Sequence, residues 1–172
     1  MLGASLADVV DLLSFHQDPR GIEPSGDVVL REFVSSGARP CWTAVSAPAM
    51  LRFGMLGEYA ALACPGLVSA SSAPAIRGEA GGREGRIHDA CDALDATLAR
   101  AGASPSDRIA ITSFHKDVRD LDMVGVVLRG RYGGHHPIWT PVGMTGFPDP
   151  DAPHCLHALA GPPRPSGTTA GN

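Results

Sequence analysis

The sequence predicts an α+β chain in which helices cover one face of a mixed sheet. Three observations lead there. Short segments rich in β-branched residues alternate with segments of helical period. The stretch Arg83 to Arg100 sets Ile87, Ala90, Cys91, Leu94 and Leu98 on one helical face. An internal repeat lays out the same order of elements twice.

The repeat organises everything else. Residues 3–18 read GASLADVVDLLSFHQD and residues 102–117 read GASPSDRIAITSFHKD, identical at eight of sixteen positions. Pro40-Cys41-Trp42-Thr43-Ala44-Val45 then matches Pro137-Ile138-Trp139-Thr140-Pro141-Val142. Ala61-Leu62-Ala63 closes one copy and Ala158-Leu159-Ala160 the other. Shared order and shared spacing imply a doubled unit.

Each element follows from local chemistry. The GAS turn leads into a strand, Val9–Phe15 in one copy and Arg108–Phe114 in the other, where β-branched residues suit a pleated surface. A short helix is expected at about Gly26–Val34 and at Leu121–Arg131. The Trp-Thr strand comes next, then a turn (Pro148-Asp149-Pro150-Asp151 in the second copy), then the strand ending in Ala-Leu-Ala. The second copy alone is preceded by a strand near Leu67–Ser71 and by the long helix, with Gly102 where a helix C-terminus favours glycine. Residues 1–65 thus read as half a unit and 66–160 as a nearly complete one. The glycine- and proline-rich stretch 161–172 reads as a disordered tail.

Composition excludes several classes. The net charge is −4 with a single lysine, Lys116, which is no footprint for nucleic acid. No apolar run is long enough for a membrane span. No basic residue precedes Arg20, which speaks against a secretory leader. Cys41, Cys64, Cys91 and Cys155 are scattered without a CxxC pair, so a reducing, cytoplasmic setting is expected. The half unit has no long helix of its own. Its apolar face therefore needs cover from the other copy or from another chain, and association is expected.

From about Gly66 to Ala160 the chain resembles the RidA/YjgF family. The resemblance rests on Leu67-Val68-Ser69-Ala70, on Leu98-Ala99-Arg100-Ala101-Gly102-Ala103-Ser104 with Asp107, on Pro137-Ile138-Trp139-Thr140-Pro141-Val142, and on His154-Cys155-Leu156-His157-Ala158-Leu159-Ala160. Residues 1–65 resemble the second half of such a domain. The resemblance implies a chorismate-mutase-like α+β fold, usually a trimer, with small-molecule clefts between subunits. It also implies hydrolysis of reactive imines and enamines, with release of ammonia. In the best-known members an Arg of the Trp-Thr strand grips the substrate carboxylate, and a Glu of the closing strand positions water. Here those positions hold Trp139 (Trp42 in the first copy) and His157 (Ala60). The chain is similar to divergent Trp-Thr members.

The candidate catalytic residues are His157, as a general base, and Cys155, as a nucleophile two positions away on the same strand face. The candidate substrate-binding residues are Trp139, Thr140, Ser69, Ser71 and Trp42. The indoles would wall a crevice shared with the closing strand, taken to lie beside the Trp139 strand. His16 and His115, each following Ser-Phe, read as a repeated structural hydrogen bond. No metal and no cofactor is expected. The partners expected are a small polar metabolite and further copies of the chain in a trimer-like oligomer, without nucleic acid or membrane. The alternatives are a non-catalytic module that binds or scavenges a metabolite, and a structural partner in such an oligomer.

Overall fold

The computed structural model describes residues 4–50, 54–72, 82–135 and 137–162. The stretch 163–172, which holds most of the expected tail, lies outside them. Seven strands and three long helices are described: β1 (Val9–His16), α1 (Ile22–Ser36), β2 (Cys41–Ser46), β3 (Gly57–Ala63), β4 (Val68–Ser71), α2 (Gly82–Arg100), β5 (Arg108–His115), α3 (Leu121–Tyr132), β6 (Ile138–Gly143) and β7 (His154–Ala160). The architecture is α+β, with two mixed sheets ordered β2-β1-β3 and β4-β7-β5-β6.

The two halves repeat one topology. β1 pairs parallel with β2 and antiparallel with β3, and β5 pairs parallel with β6 and antiparallel with β7. Each central strand carries an irregularity at its start, between Val9 and Asp11 and between Arg108 and Ala110. The entry turn is also repeated. Ser5 and Ser104 each form a capping box, with Asp8 and Asp107. Asp18 and Asp117 each accept from the backbone N–H two residues on, of Arg20 and Arg119. Such side-chain acceptors satisfy the N–H groups that a helical start leaves open.

Among the described residues, β4 and α2 have no counterpart in the first half. α2 lays its apolar face over the second sheet, where Ile87, Ala90, Cys91, Leu94 and Leu98 join Ile111, Val124, Val127, Leu128, Leu156 and Ala158 in one core. The other face of that sheet meets the first sheet. Val45, Phe114, Phe147, Ala152 and Cys155 form a second core there, with Leu13, Phe15 and Val142 against it. The second copy thus covers one face of the half unit. A bridge between Ser46 and Gly146 stitches the two halves at one end. The side chains that alternate along each strand accordingly point either under a helix or between the sheets.

Candidate functional site

Strand register decides which residues meet. Ile111 faces the helices, and Trp139 is its partner on β6, so Trp139 lies on the helix side. His157 pairs with Thr112 and Cys155 with Phe114, on the side between the sheets. β5 separates β6 from β7. The crevice expected between the Trp139 strand and the closing strand is therefore not formed: the strands are not neighbours, and the two side chains project to opposite faces. Residues one register step apart cannot share a face of a pleated strand.

Both indoles do the same thing instead. Trp42 donates its Nε1–H to Ser14 Oγ and Trp139 donates to Ser113 Oγ, each at 2.8 Å. The same hydroxyls are hydrogen-bonded to His16 Nε2 at 3.0 Å and His115 Nε2 at 2.8 Å. Each indole N–H is thus committed inside the fold. Each ring edge slides under a glycine of its helix. A Cβ at Gly26 would lie 2.9 Å from the Trp42 ring, and one at Gly125 would lie 3.2 Å from Trp139. On its outer side Trp42 walls a cleft of about 670 Å³ with Ile22, Leu30, Phe147 and Pro148, rimmed by Glu23 and Asp27. The space beside Trp139 is about 90 Å³.

A different cluster forms between the sheets. Asp11 of β1, Cys41 of β2 and His157 of β7 bring one carboxylate oxygen, one sulfur and one ring nitrogen within 4.8 Å of one another. Asp11 and His157 are buried and Cys41 is half-buried. His157 Nε2 lies 3.4 Å from Asp11 Oδ2. Its other nitrogen, Nδ1, is hydrogen-bonded to Thr43 Oγ1 at 3.1 Å. Ser69 donates its hydroxyl to Asp11 Oδ1 at 2.7 Å. Burial works against a charge on His157, but the bonds to Asp11 and Cys41 outweigh it and raise its pKa to about 9.

The candidates named from sequence divide accordingly. His157 and Ser69 stand in this cluster, and Ser71 is the direct cross-strand partner of His157. Thr140 lies in the same row across the sheet, beyond Thr112, on the exposed edge strand β6. Cys155 sits in the inter-sheet core, 3.5 Å from Ser71 Oγ. The imidazole proposed as its base has its nitrogens turned to Thr43 and Asp11, so the expected Cys155–His157 dyad is replaced by a His157 grouping with Asp11 and Cys41. Asp11 and Cys41 were not read as site residues. The repeat held a signal for them. The matching positions are Ala110 for Asp11, Ile138 for Cys41 and Ala60 for His157, so one copy carries chemistry where the other is apolar.

The arrangement defines a class: two β-α-β-β units of one topology, one enlarged by a strand and a long helix, joined sheet to sheet. A solved structure from Vibrio vulnificus CMCP6, titled as a translation initiation inhibitor, matches with a TM-score of 0.51 and 20% identity, over 67% of this chain and 93% of that one. A member of the YjgF/YER057c/UK114 family from Mycobacterium tuberculosis matches with a TM-score of 0.48 and 20% identity, over 56% of this chain and 79% of that one. A yeast structure matches at 0.46 and 15% identity, and the chain spans 65% of its length while 48% of this chain is covered. The α+β fold expected from the sequence is the fold observed, and the Vibrio structure shares it. No family model and no curated protein matches the chain.

Proposed function

We propose that the chain is a divergent RidA/YjgF-type protein that takes a small polar metabolite at the Asp11–Cys41–His157 cluster and hydrolyses an imine, an enamine or a related C–N bond. The observation that carries this reading is the convergence of three reactive side chains between two sheets, with Cys41 and Ser69 as its open flank. Water adds through its oxygen to the imine carbon while the C=N pair moves to nitrogen. Asp11 takes a proton from the water and His157 gives one to the nitrogen. With the pair reset by proton transfer between them, Asp11 takes the hydroxyl proton as the carbonyl forms. His157 gives the nitrogen a second proton, and the C–N bond breaks with release of ammonia. Asp11 and His157 are close enough to pass the proton back. Ser69 and Thr43 hold the two groups in place.

The test is ammonia release from a model imino acid. His157→Gln should lower the rate at least about tenfold, and an unchanged rate sinks the reading. A second reading, a module that binds without catalysis, is favoured by the cleft at Trp42. Its volume is in the range of small-molecule sites, and aromatic and aliphatic side chains line it. On that reading metabolite binding is insensitive to His157→Gln and falls with Trp42→Ala. We further propose that the domain bounds are those of a doubled unit, and that the chain forms a trimer-like oligomer with further copies of itself through sheet edges.

A further inference from the structure

We propose that Asp11, Cys41 and His157 form a binding site for one divalent transition-metal ion, Zn²⁺ by donor chemistry. The inference rests on the reading of this cluster as the reactive centre, but it casts Asp11 and His157 there as metal ligands in place of the acid–base pair. The donor set is one thiol sulfur, one imidazole nitrogen and one carboxylate oxygen, the three ligand types of protein zinc, and it lacks the all-oxygen character that calcium or magnesium requires.

The spacing of His157 and Asp11 fits such an ion, with the Cys41 sulfur near enough to close on it. Zinc–ligand bonds of about 2.0–2.3 Å in a tetrahedron put ligand atoms about 3.3–3.8 Å apart. His157 Nε2 and Asp11 Oδ2 are 3.4 Å apart, and all three donor atoms lie within 4.8 Å. Outer hydrogen bonds hold both groups, as they do metal ligands. The second ring nitrogen of His157 is engaged by a hydroxyl, and the second oxygen of Asp11 accepts from another. Three protein donors leave a fourth position open, the donor count of a catalytic zinc site rather than a closed structural one.

The repeat adds a contrast. The two halves have the same pairing pattern, so each of the three positions has a structural twin. All three twins are apolar: Ala110, Ile138 and Ala60. The polar groups stand where the sheets enclose them, whereas the twin positions Ile138 and Ala60 are exposed and Ala110 is half-buried. The three also come from both halves, so an ion here would tie the half unit to the complete one.

Co²⁺ titration of the metal-free full chain tests this. The expected result is one Co²⁺ per chain, with a thiolate-to-metal charge-transfer band and the visible absorption of a tetrahedral ion. Cys41→Ser, a one-atom change, should abolish the charge-transfer band. Thr43→Val and Ser69→Ala should weaken binding about 10–100-fold. Failure to bind one equivalent overturns the proposal, and so does a charge-transfer band that survives Cys41→Ser. The same samples separate this inference from the hydrolytic reading. Co²⁺ binding without ammonia release leaves the site standing and removes the reaction. Ammonia release that depends on His157 in a chain that binds no Co²⁺ keeps the reaction and removes the metal.

Discussion

Val28 and Val127 occupy matched positions on α1 and α3, yet Val28 is 47% exposed and Val127 is 5% exposed. The helices begin alike, cross matched strands and shelter matched tryptophans. What differs is the neighbour. α3 packs beside α2 within one core, whereas α1 has no such companion among the described residues and exposes Val28, Leu30 and Val34. The closing strands show the same contrast: β7 is buried over six of its seven residues, and β3 is exposed over its last five. Burial is thus a property of what covers an element. The repeated unit specifies strands and pairing, and the added β4–α2 segment turns one copy into a closed core.

The largest expected effect tests that contrast. Leu94, fully buried on α2, has no twin in the first half. Leu94→Ala should cost about 2–5 kcal/mol in urea unfolding, as buried leucine truncations do. Leu30→Ala on α1 should stay within about 0.5 kcal/mol, as exposed substitutions do. Val127→Ala against Val28→Ala sharpens the comparison at matched positions, with a cost expected only for Val127. Equal effects in the pair would mean that α1 is covered in solution, and sizing by light scattering would then show an assembly.

Acid should divide the halves in the same way. Burial lowers the pKa of His115 to about 4, with His154 as a second cause and Asp120 opposing. Burial also lowers His154, against its bond to the Arg86 carbonyl and the charge of Asp120. A histidine that folds into a depressed pKa adds stability above its ordinary value of 6.5, and loses it as pH falls through the folded value. The second half should therefore weaken between about pH 6.5 and pH 4. His16, the first-half twin of His115, is also lowered by burial but has no histidine partner among the described residues to add to it. The urea midpoint followed from pH 7 to pH 4 should fall less steeply for His115→Gln than for His16→Gln. The reverse order would contradict the pairing of His115 with His154.

Much of this fold was legible in the sequence because it depends on local pattern. The apolar stripe of α2, the alternation in β5 and the match between residues 3–18 and 102–117 all survive without tertiary information. The Ser-Phe-His repeat likewise gave the shared histidine bond at His16 and His115. The site was legible only in part. His157, Ser69 and Ser71 lie on strands whose pairing followed from the resemblance, and they stay together. Trp139 was set beside the closing strand because sequential strands often pair, whereas β7 inserts antiparallel between β4 and β5 and β6 is left at the edge. Asp11 and Cys41 were passed over because they join His157 through the meeting of two sheets, a contact between the halves that no periodicity encodes.

The smallest effect concerns the glycines under which the indoles sit. Replacing a mid-helix glycine by alanine ordinarily stabilises by about 0.5–1 kcal/mol, because glycine loses more backbone freedom on folding. At Gly26 the added methyl would meet the Trp42 ring at 2.9 Å, a distance at which the ring must move. At Gly125 it would meet Trp139 and Arg129 at 3.2 Å, which a few tenths of an ångström relieves. Crowding of a packed site costs about 1–3 kcal/mol, so Gly26→Ala should be net destabilising and Gly125→Ala close to neutral. The order follows from space alone, since the helical propensity term is common to both. Gly26→Ala should also raise Trp42 fluorescence sensitivity to a soluble quencher, because the ring lines an open cleft and can yield only toward it. If Gly125→Ala proves the costlier change, the two indoles do not share one packing arrangement, and the equivalence of the halves fails at the residue that most visibly marks it.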